Sequence, residues 1–231
     1  MILGEVIRDF KAETDKGTIE SFHEWIGDGN WAILFSHPAD FTPVCTTELA
    51  RVLQLASEFD KRRVKMIALS CDSALSHREW IKDIVHVAGM DISHDNFPFP
   101  IIADEGLTLA TQLGMIDPDE KDSKGQPLSA RALLIIGPDR RLKLQILYPA
   151  TTGRNMDEVL RVVDSLQLTA EHKVATPVDW RRGDHCMVLP TLSSSQAKTQ
   201  FGDSVQTIEV PSGKEYLRKT PMPSWTDNGD S

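Results

Sequence analysis

The sequence predicts an α/β fold, a sheet covered by helices, followed by a small α+β unit at the C-terminal end. Three observations predict it. Two apolar runs, Trp31-Ala32-Ile33-Leu34-Phe35 and Val64-Lys65-Met66-Ile67-Ala68-Leu69-Ser70-Cys71, read as buried strands. Each is followed by an amphipathic helical pattern, and such strand–helix alternation builds parallel pairs. Near Ala170 the long periodic segments give way to short ones, so a division into 1–168 and 169–231 is expected.

The elements follow in order. Segments 10–14 and 18–21 flank a turn at Asp15-Lys16-Gly17 and read as a hairpin. Ser21 and Glu24 have capping-box spacing, which starts a short helix through Trp25 and Ile26. Gly27-Asp28-Gly29-Asn30 breaks the chain before the first buried strand. The next helical pattern opens at Thr46-Thr47-Glu48-Leu49, carries Val52, Leu53, Ala56 and Phe59 inward, and ends in Lys61-Arg62-Arg63, a basic turn suited to a helix C-terminus. After the second strand, Asp72, Ser73 and Ser76 are N-cap candidates for a helix that buries Trp80, Ile81, Ile84, Val85 and Ala88 and stops at Gly89.

Residues 97–102 form a short extended segment, and 107–113 a helix ending at Gly114. The polar, turn-rich stretch 117–127 is expected to be a surface loop. Arg131 opens an apolar strand over 132–136, Gly137-Pro138-Asp139 turns, and 142–146 alternates as a half-exposed strand, a hairpin at the far side of the sheet. Asn155 caps a helix with Asp157 and Glu158 in its first turn and Val159, Leu160, Val163 and Leu166 facing inward. Beyond it, 175–180 reads as an extended linker. Short elements then follow: Cys186-Met187-Val188-Leu189, a weak helix over 194–201, and 205–210 with 216–217 around a turn at Ser212-Gly213. This is too little apolar material for a robust core, so the C-terminal unit is expected to pack on a partner subunit. The polar stretch 221–231 is expected to be a mobile tail.

Composition narrows the function. Hydrophobic content of 40% and charged content of 26% suit an ordinary soluble protein, and a net charge of −9 argues against general affinity for nucleic acid or anionic membrane. No apolar run approaches a membrane span, so no integral membrane association is expected. Met1-Ile2-Leu3-Gly4-Glu5 lacks the basic and long apolar stretches of a secretory signal. Three cysteines without regular spacing argue against a disulfide framework or a zinc site, and fit a reducing, cytoplasmic compartment. No metal and no bound cofactor is expected.

The stretch around which the chain is organised is Pro38-Ala39-Asp40-Phe41-Thr42-Pro43-Val44-Cys45. It places Cys45 at a strand-to-helix junction, where unpaired N–H groups and the helix dipole favour an anion such as a thiolate. Thr42 can offer its hydroxyl to the sulfur, and Pro38 and Pro43 stiffen the loop. On spacing alone, a small buried hydrophobe is an equal reading of Cys45. Arg131, at the start of a buried strand, needs an anionic partner. A thiolate can supply it, and so can any of 34 carboxylates.

The whole string, Pro38-x-x-x-Thr42-x-x-Cys45, resembles the active-site signature of the peroxiredoxins. Ser36-His37-Pro38, Thr46-Thr47-Glu48, Ala150-Thr151-Thr152-Gly153-Arg154-Asn155 and Ala175-Thr176-Pro177-Val178-Asp179-Trp180 are similar to segments of the one-cysteine branch. The resemblance implies a thioredoxin-like fold, with a mixed central sheet flanked by helices and an N-terminal hairpin. It also implies a homodimer, or a higher oligomer, whose subunits exchange contacts through the C-terminal domain. Cys45 would attack a peroxide oxygen and become a sulfenic acid. Thr42 would hydrogen-bond the thiolate or the substrate oxygen, and Pro38 would shape a water-poor pocket. Arg131, in Ser129-Ala130-Arg131, would contact the cysteine, with Glu48 in its hydrogen-bond network and Arg154 in support. His37 either tunes the thiol, binds the reductant, or is a satisfied wall histidine.

Cys71, at the end of a buried strand, reads as core. In two-cysteine relatives a second, resolving cysteine lies in a Val-Cys-Pro segment. Asp184-His185-Cys186-Met187-Val188 does not match it. An external thiol, glutathione or a thiol-transfer protein, is therefore expected to regenerate Cys45 after it reduces hydrogen peroxide or organic and lipid hydroperoxides. Vertebrate members are also described as phospholipases that use a serine in Gly-Asp-Ser-Trp-Gly. Gly27-Asp28-Gly29-Asn30-Trp31-Ala32 lacks it, leaving His23 and Asp139 without a nucleophile. A redox-gated chaperone or sensor is the reading from another class. A thioredoxin-type oxidoreductase is disfavoured because no Cys-x-x-Cys occurs.

Overall fold

The computed structural model describes residues 1–224; the last seven positions of the predicted tail, 225–231, lie outside the described residues. The chain divides into two compact units, Met1–Met156 and Asp157–Ser231. The division falls just after Met156, the first residue of a long helix, whereas the change of sequence pattern falls near that helix's end.

In the first unit, β1 (Ala12–Thr14) and β2 (Gly17–Ile19) form the predicted hairpin, with Gly17 at φ 106° in a region that favours glycine. The Ser21 side chain caps α1 (Phe22–Ile26) by accepting from the Glu24 N–H. The apolar runs become β3 (Trp31–Ser36), buried throughout, and β4 (Val64–Ser70). They pair in parallel, and β4 pairs in parallel with β5 (Ile101–Ala103). Then β8 (Arg131–Ile136) adds antiparallel to β3, and β9 (Leu142–Tyr148) forms the far edge. The sheet order is β2-β1-β5-β4-β3-β8-β9, a mixed seven-stranded sheet. A strand with both faces covered has no polar alternation, which is why β3 reads as an unbroken apolar run. Ala32 and Leu34 join a cluster with Phe22, Ile26 and Leu134, while Phe35 meets Phe99 edge-on.

Two stretches of this unit differ from the expectation. The helix after β3 begins earlier, at Pro43, and is broken at Leu55 into α2 (Pro43–Gln54) and α3 (Ala56–Lys61). A first-turn proline is well placed because its missing N–H has no helical partner there. The break lets Leu53, Leu55 and Phe59 all be buried, which one straight stripe would not. After α4 (Ala74–Val87) and α5 (Thr108–Gln112), the stretch expected to be a loop holds β6 (Ile116–Lys121) and β7 (Pro127–Ser129), a separate two-stranded ribbon. Its turn is made by Asp122, whose Oδ1 accepts from the N–H groups of Lys124 and Gln126. The ribbon's pairing is irregular and polar, so no apolar alternation announces it.

The second unit contains α6 (Met156–Glu171), α7 (Ser194–Phe201) and a four-stranded antiparallel sheet of order β10-β11-β13-β12. Its strands are β10 (Val174–Ala175), β11 (Cys186–Val188), β12 (Gln206–Thr207) and β13 (Arg218–Thr220). The segment read as a linker is part of this unit's core. Trp180 is buried, donates its indole N–H to the Asp184 carbonyl, and packs with Leu168, Val174 and Cys186. That cluster is small, in keeping with the sparse apolar content of the region.

Candidate active site

The loop between β3 and α2 delivers Cys45 into the first turn of α2. Thr42 is the N-cap residue, in extended backbone, and Phe41 before it sits at φ 54°, a left-handed conformation that costs a bulky residue strain. The Thr46 hydroxyl donates to the Thr42 carbonyl and accepts from the Trp80 indole N–H of α4. This ties the first turn of α2 to its neighbour. Cys45 itself has 0% exposure.

Its partner is the arginine predicted from the strand. Arg131 Nη1 lies 3.3 Å from Cys45 Sγ and 2.8 Å from Glu48 Oε2. Arg131 Nε and Nη2 both donate to the Ala150 carbonyl, at 2.9 and 2.6 Å. Glu48, one turn beyond Cys45, is shared with Arg154. The backbone N–H and Nε of Arg154 donate to its Oε1 at 2.6 and 2.9 Å, and Nη2 to Oε2 at 2.9 Å. Arg154 Nη1 donates to the Ala132 carbonyl, and its guanidinium lies over the Phe35 ring at 5.8 Å. All three charged groups are buried. Burial alone would raise the Glu48 pKa, but hydrogen bonds and charge from Arg154, then the charge of Arg131, outweigh it and hold the carboxyl below its ordinary range.

The charge count is simple. Two guanidinium groups and one carboxylate sum to +1, and a thiolate at Cys45 brings the buried cluster to zero. An uncompensated buried charge is costly, so this arrangement supports the anionic sulfur that peroxide attack requires. The resemblance alone pointed to Glu48 and Arg154; the structure joins both to Arg131. The Ala150 carbonyl that holds Arg131 was missed, because a backbone acceptor leaves no mark in the sequence.

Other sequence-predicted residues fall differently. The Thr42 hydroxyl donates to the Ala39 carbonyl at 2.8 Å, not to the sulfur. Its single proton is thus spent closing the loop, and its oxygen keeps acceptor capacity. Pro38 is buried in the same loop. His37 is fully buried; its Nε2 lies 2.9 Å from Asp40 Oδ1, its ring 4.9 Å from that of Trp80, and its carbonyl accepts from Ser129 Oγ. Its Nδ1 has no hydrogen-bond partner among the described residues. Burial pushes its pKa below the ordinary histidine value, against the pull of Asp40. The Asp40–His77 contact beside it was not read from the sequence, since Asp40 and His77 are 37 positions apart.

The remaining thiols differ from Cys45. Cys71 is half-buried in the bend after β4 and not core; burial, then the charge of Asp104, pushes its thiol up to about 11. Cys186 is fully buried and likewise raised by burial. Among the phospholipase-like residues, the His23 ring is paired with the Ile7 carbonyl and Asp139 with Lys143, while Asn30 donates to the Ile26 carbonyl.

A buried thiol at the start of a helix, with an arginine at its sulfur, on a thioredoxin-like sheet defines a thiol peroxidase class. Residues 3–145 match the AhpC/TSA family, and residues 165–204 match the C-terminal domain of 1-Cys peroxiredoxin. The chain is 61% identical over 230 residues to the 1-Cys peroxiredoxin of Dirofilaria immitis, covering 96% of this chain and 98% of that one. It is 60% identical over 223 residues to Peroxiredoxin-6 of Gallus gallus, with the same coverage. A solved structure of a mutant of peroxiredoxin 6 from Arenicola marina superposes with a TM-score of 0.93 at 56% identity, covering 97% of this chain and all of that one. A yeast mitochondrial 1-Cys peroxiredoxin, solved in a study of thiol resolution by glutathione and thioredoxin systems, gives 0.84 at 39% identity, covering 96% and 99%. The chain belongs to the AhpC/TSA family, in its 1-Cys peroxiredoxin branch, and is a thiol-dependent peroxidase with an antioxidant role.

Proposed function

We propose that Cys45 is the peroxidatic residue, and that Arg131, Glu48 and Arg154 hold its thiolate. The observation that carries this reading is the Arg131 Nη1 contact to Cys45 Sγ inside a cluster of net charge +1. The sulfur attacks one peroxide oxygen, an S–O bond forms, and the O–O bond breaks. The departing oxygen takes a proton and leaves as water or alcohol. The sulfur is oxidised to sulfenic acid as the peroxide is reduced. The Thr42 oxygen accepts from the peroxide O–H, Pro38 keeps water out, and His37 supports the site through its bare Nδ1. Because Cys45 is fully covered, the 38–45 loop must yield to admit substrate.

An external thiol, glutathione or a thiol-transfer protein, attacks the sulfenic sulfur, expels water and leaves a mixed disulfide. A second thiol then frees Cys45. Neither Cys71 nor Cys186 has the low-pKa setting of a resolving thiol. Hydrogen peroxide and organic or lipid hydroperoxides are the substrates, in the cytoplasm. Residues 1–168 carry the chemistry, and 169–231 dimerise with a second copy, either alone or within a higher oligomer. No helix among the described residues is long and apolar enough to cross a membrane. The test is consumption of hydrogen peroxide and cumene hydroperoxide with glutathione, alone or with a glutathione-transfer protein. Sustained turnover in either arm is the expected result. A single stoichiometric oxidation, with no turnover in any arm, overturns the choice of reductant.

A further inference from the structure

The network beneath the 38–42 loop contains more order than the peroxidase reading uses. Asp40 is buried, and both its carboxylate oxygens are occupied. Oδ1 faces His37 Nε2 at 2.9 Å; Oδ2 faces His77 Nδ1 at 2.7 Å and accepts from Ser76 Oγ at 2.7 Å. The Asp40 N–H donates to Asp72 Oδ2, which also accepts from Ser70 Oγ. His77 Nε2 lies 3.2 Å from the Ile102 carbonyl. Both ring nitrogens of His77 therefore face acceptors, which ties α4 and the Ile102 backbone to the Asp40 carboxylate. The groups facing Asp40 thus come from its own loop, from α4, and from the bend after β4.

This arrangement settles which nitrogen of His37 carries hydrogen. Asp40 Oδ1 accepts, so the hydrogen sits on Nε2 and Nδ1 presents a bare lone pair. That lone pair is buried without a donor, and a buried acceptor left open calls for an explanation. Resting on the reading of His37 as a supporting residue, we propose that Asp40 and His77 are positioning residues for peroxide reduction. They act through His37, fixing its Nε2–H tautomer and anchoring the loop that carries Thr42 and Cys45. Asp40 adjoins Phe41, whose left-handed backbone is held between the Asp40 anchors and the start of α2. Neither residue touches the reacting atoms; each sets the geometry of those that do.

The decisive variant is Asp40→Asn, which keeps size and removes charge. Two donors, Ser76 and His77, converge on one end of the side chain, so the amide oxygen stays there and the NH2 turns to His37. His37 must then accept at Nε2 and move its hydrogen to Nδ1, closing the open lone pair. Ring-nitrogen NMR of the 15N-histidine-labelled full chain, assigned with His37→Gln and His77→Gln, reads this directly. The wild type is expected to show hydrogen on Nε2 alone in His37; Asp40→Asn should transfer that hydrogen to Nδ1. Stopped-flow oxidation of Cys45 should slow about 10- to 100-fold in Asp40→Asn, with the unfolding midpoint recorded alongside. A wild-type His37 protonated at Nδ1 overturns the proposal, and this needs no variant to fold. A slow His37→Gln beside an Asp40→Asn of normal rate sinks the proposal alone. A His37→Gln of normal rate sinks the supporting role of His37, and the proposal with it.

Discussion

Cys45 and Cys186 are equally hidden from solvent, each at 0% exposure, yet their sulfurs meet opposite surroundings. Cys45 accepts from a guanidinium in a cluster that lacks one negative charge. Cys186 packs with Leu168, Val174 and Trp180, and its S–H points to the Asp184 carbonyl at 3.9 Å. Burial therefore does not separate the thiol proposed to react from the one proposed to be inert. The sign of the nearest partner does: a donor of positive charge suits a thiolate, and an acceptor suits a thiol.

The comparison breaks most visibly at the sulfurs themselves. Cys45→Ser should abolish peroxide reduction, a loss of about four orders of magnitude or more, measured as peroxide consumption with a small thiol. Retained turnover would mean that another thiol carries the chemistry. Cys186→Ser should leave the same rate within about twofold, at a stability cost of about 1 kcal/mol from a hydroxyl in an apolar cluster. Loss of turnover would expose it as a resolving residue. Next in size, Arg131→Ala should slow Cys45 oxidation about 10²–10³-fold, the scale of losing one preorganised donor at a developing charge. Stopped-flow kinetics with wild-type rates would remove Arg131 from the site. Arg154→Lys keeps the charge and the backbone N–H bond but not the two-point guanidinium hold on Glu48, and about tenfold is expected on the same rate.

The smallest effect is on stability against pH. Glu48 is held below its ordinary value of 4.5, so its contribution is present above that pH and lost as pH falls through the lower folded value. Cys186 is raised above 9.0, so its contribution is present below pH 9 and lost as pH rises through the higher folded value. Glu48→Gln should flatten the acid limb of a denaturation series, and Cys186→Ser the alkaline limb. Exchanged effects would contradict the assignment of the two environments.

How much of this was legible in the sequence follows from what each feature is made of. The sheet core was legible because β3, β4 and β8 are apolar runs, and Cys45 and Arg131 were legible as candidates from their places at a helix start and a strand start, whereas Glu48 and Arg154 came only from the resemblance. The 116–129 ribbon was not, since polar strands and an Asp turn read as a loop. Trp180 was misplaced in a linker because a single buried aromatic among Pro177, Val178 and Asp179 has no periodicity. The Thr42 hydroxyl went to the sulfur by proximity in sequence, when the nearer acceptor was the Ala39 carbonyl of its own loop. The Asp40–His77 pair joins two distant segments, and only the fold brings them together.

The most direct test of the central claim, one reactive cysteine renewed from outside, is intact mass after one equivalent of hydrogen peroxide, with and without a thiol trap, on wild type and Cys45→Ser. A single trap adduct, or one added oxygen without the trap, that vanishes in the variant is the expected result. A loss of two hydrogens, mapped to Cys45 and Cys186, would show an internal disulfide and contradict it.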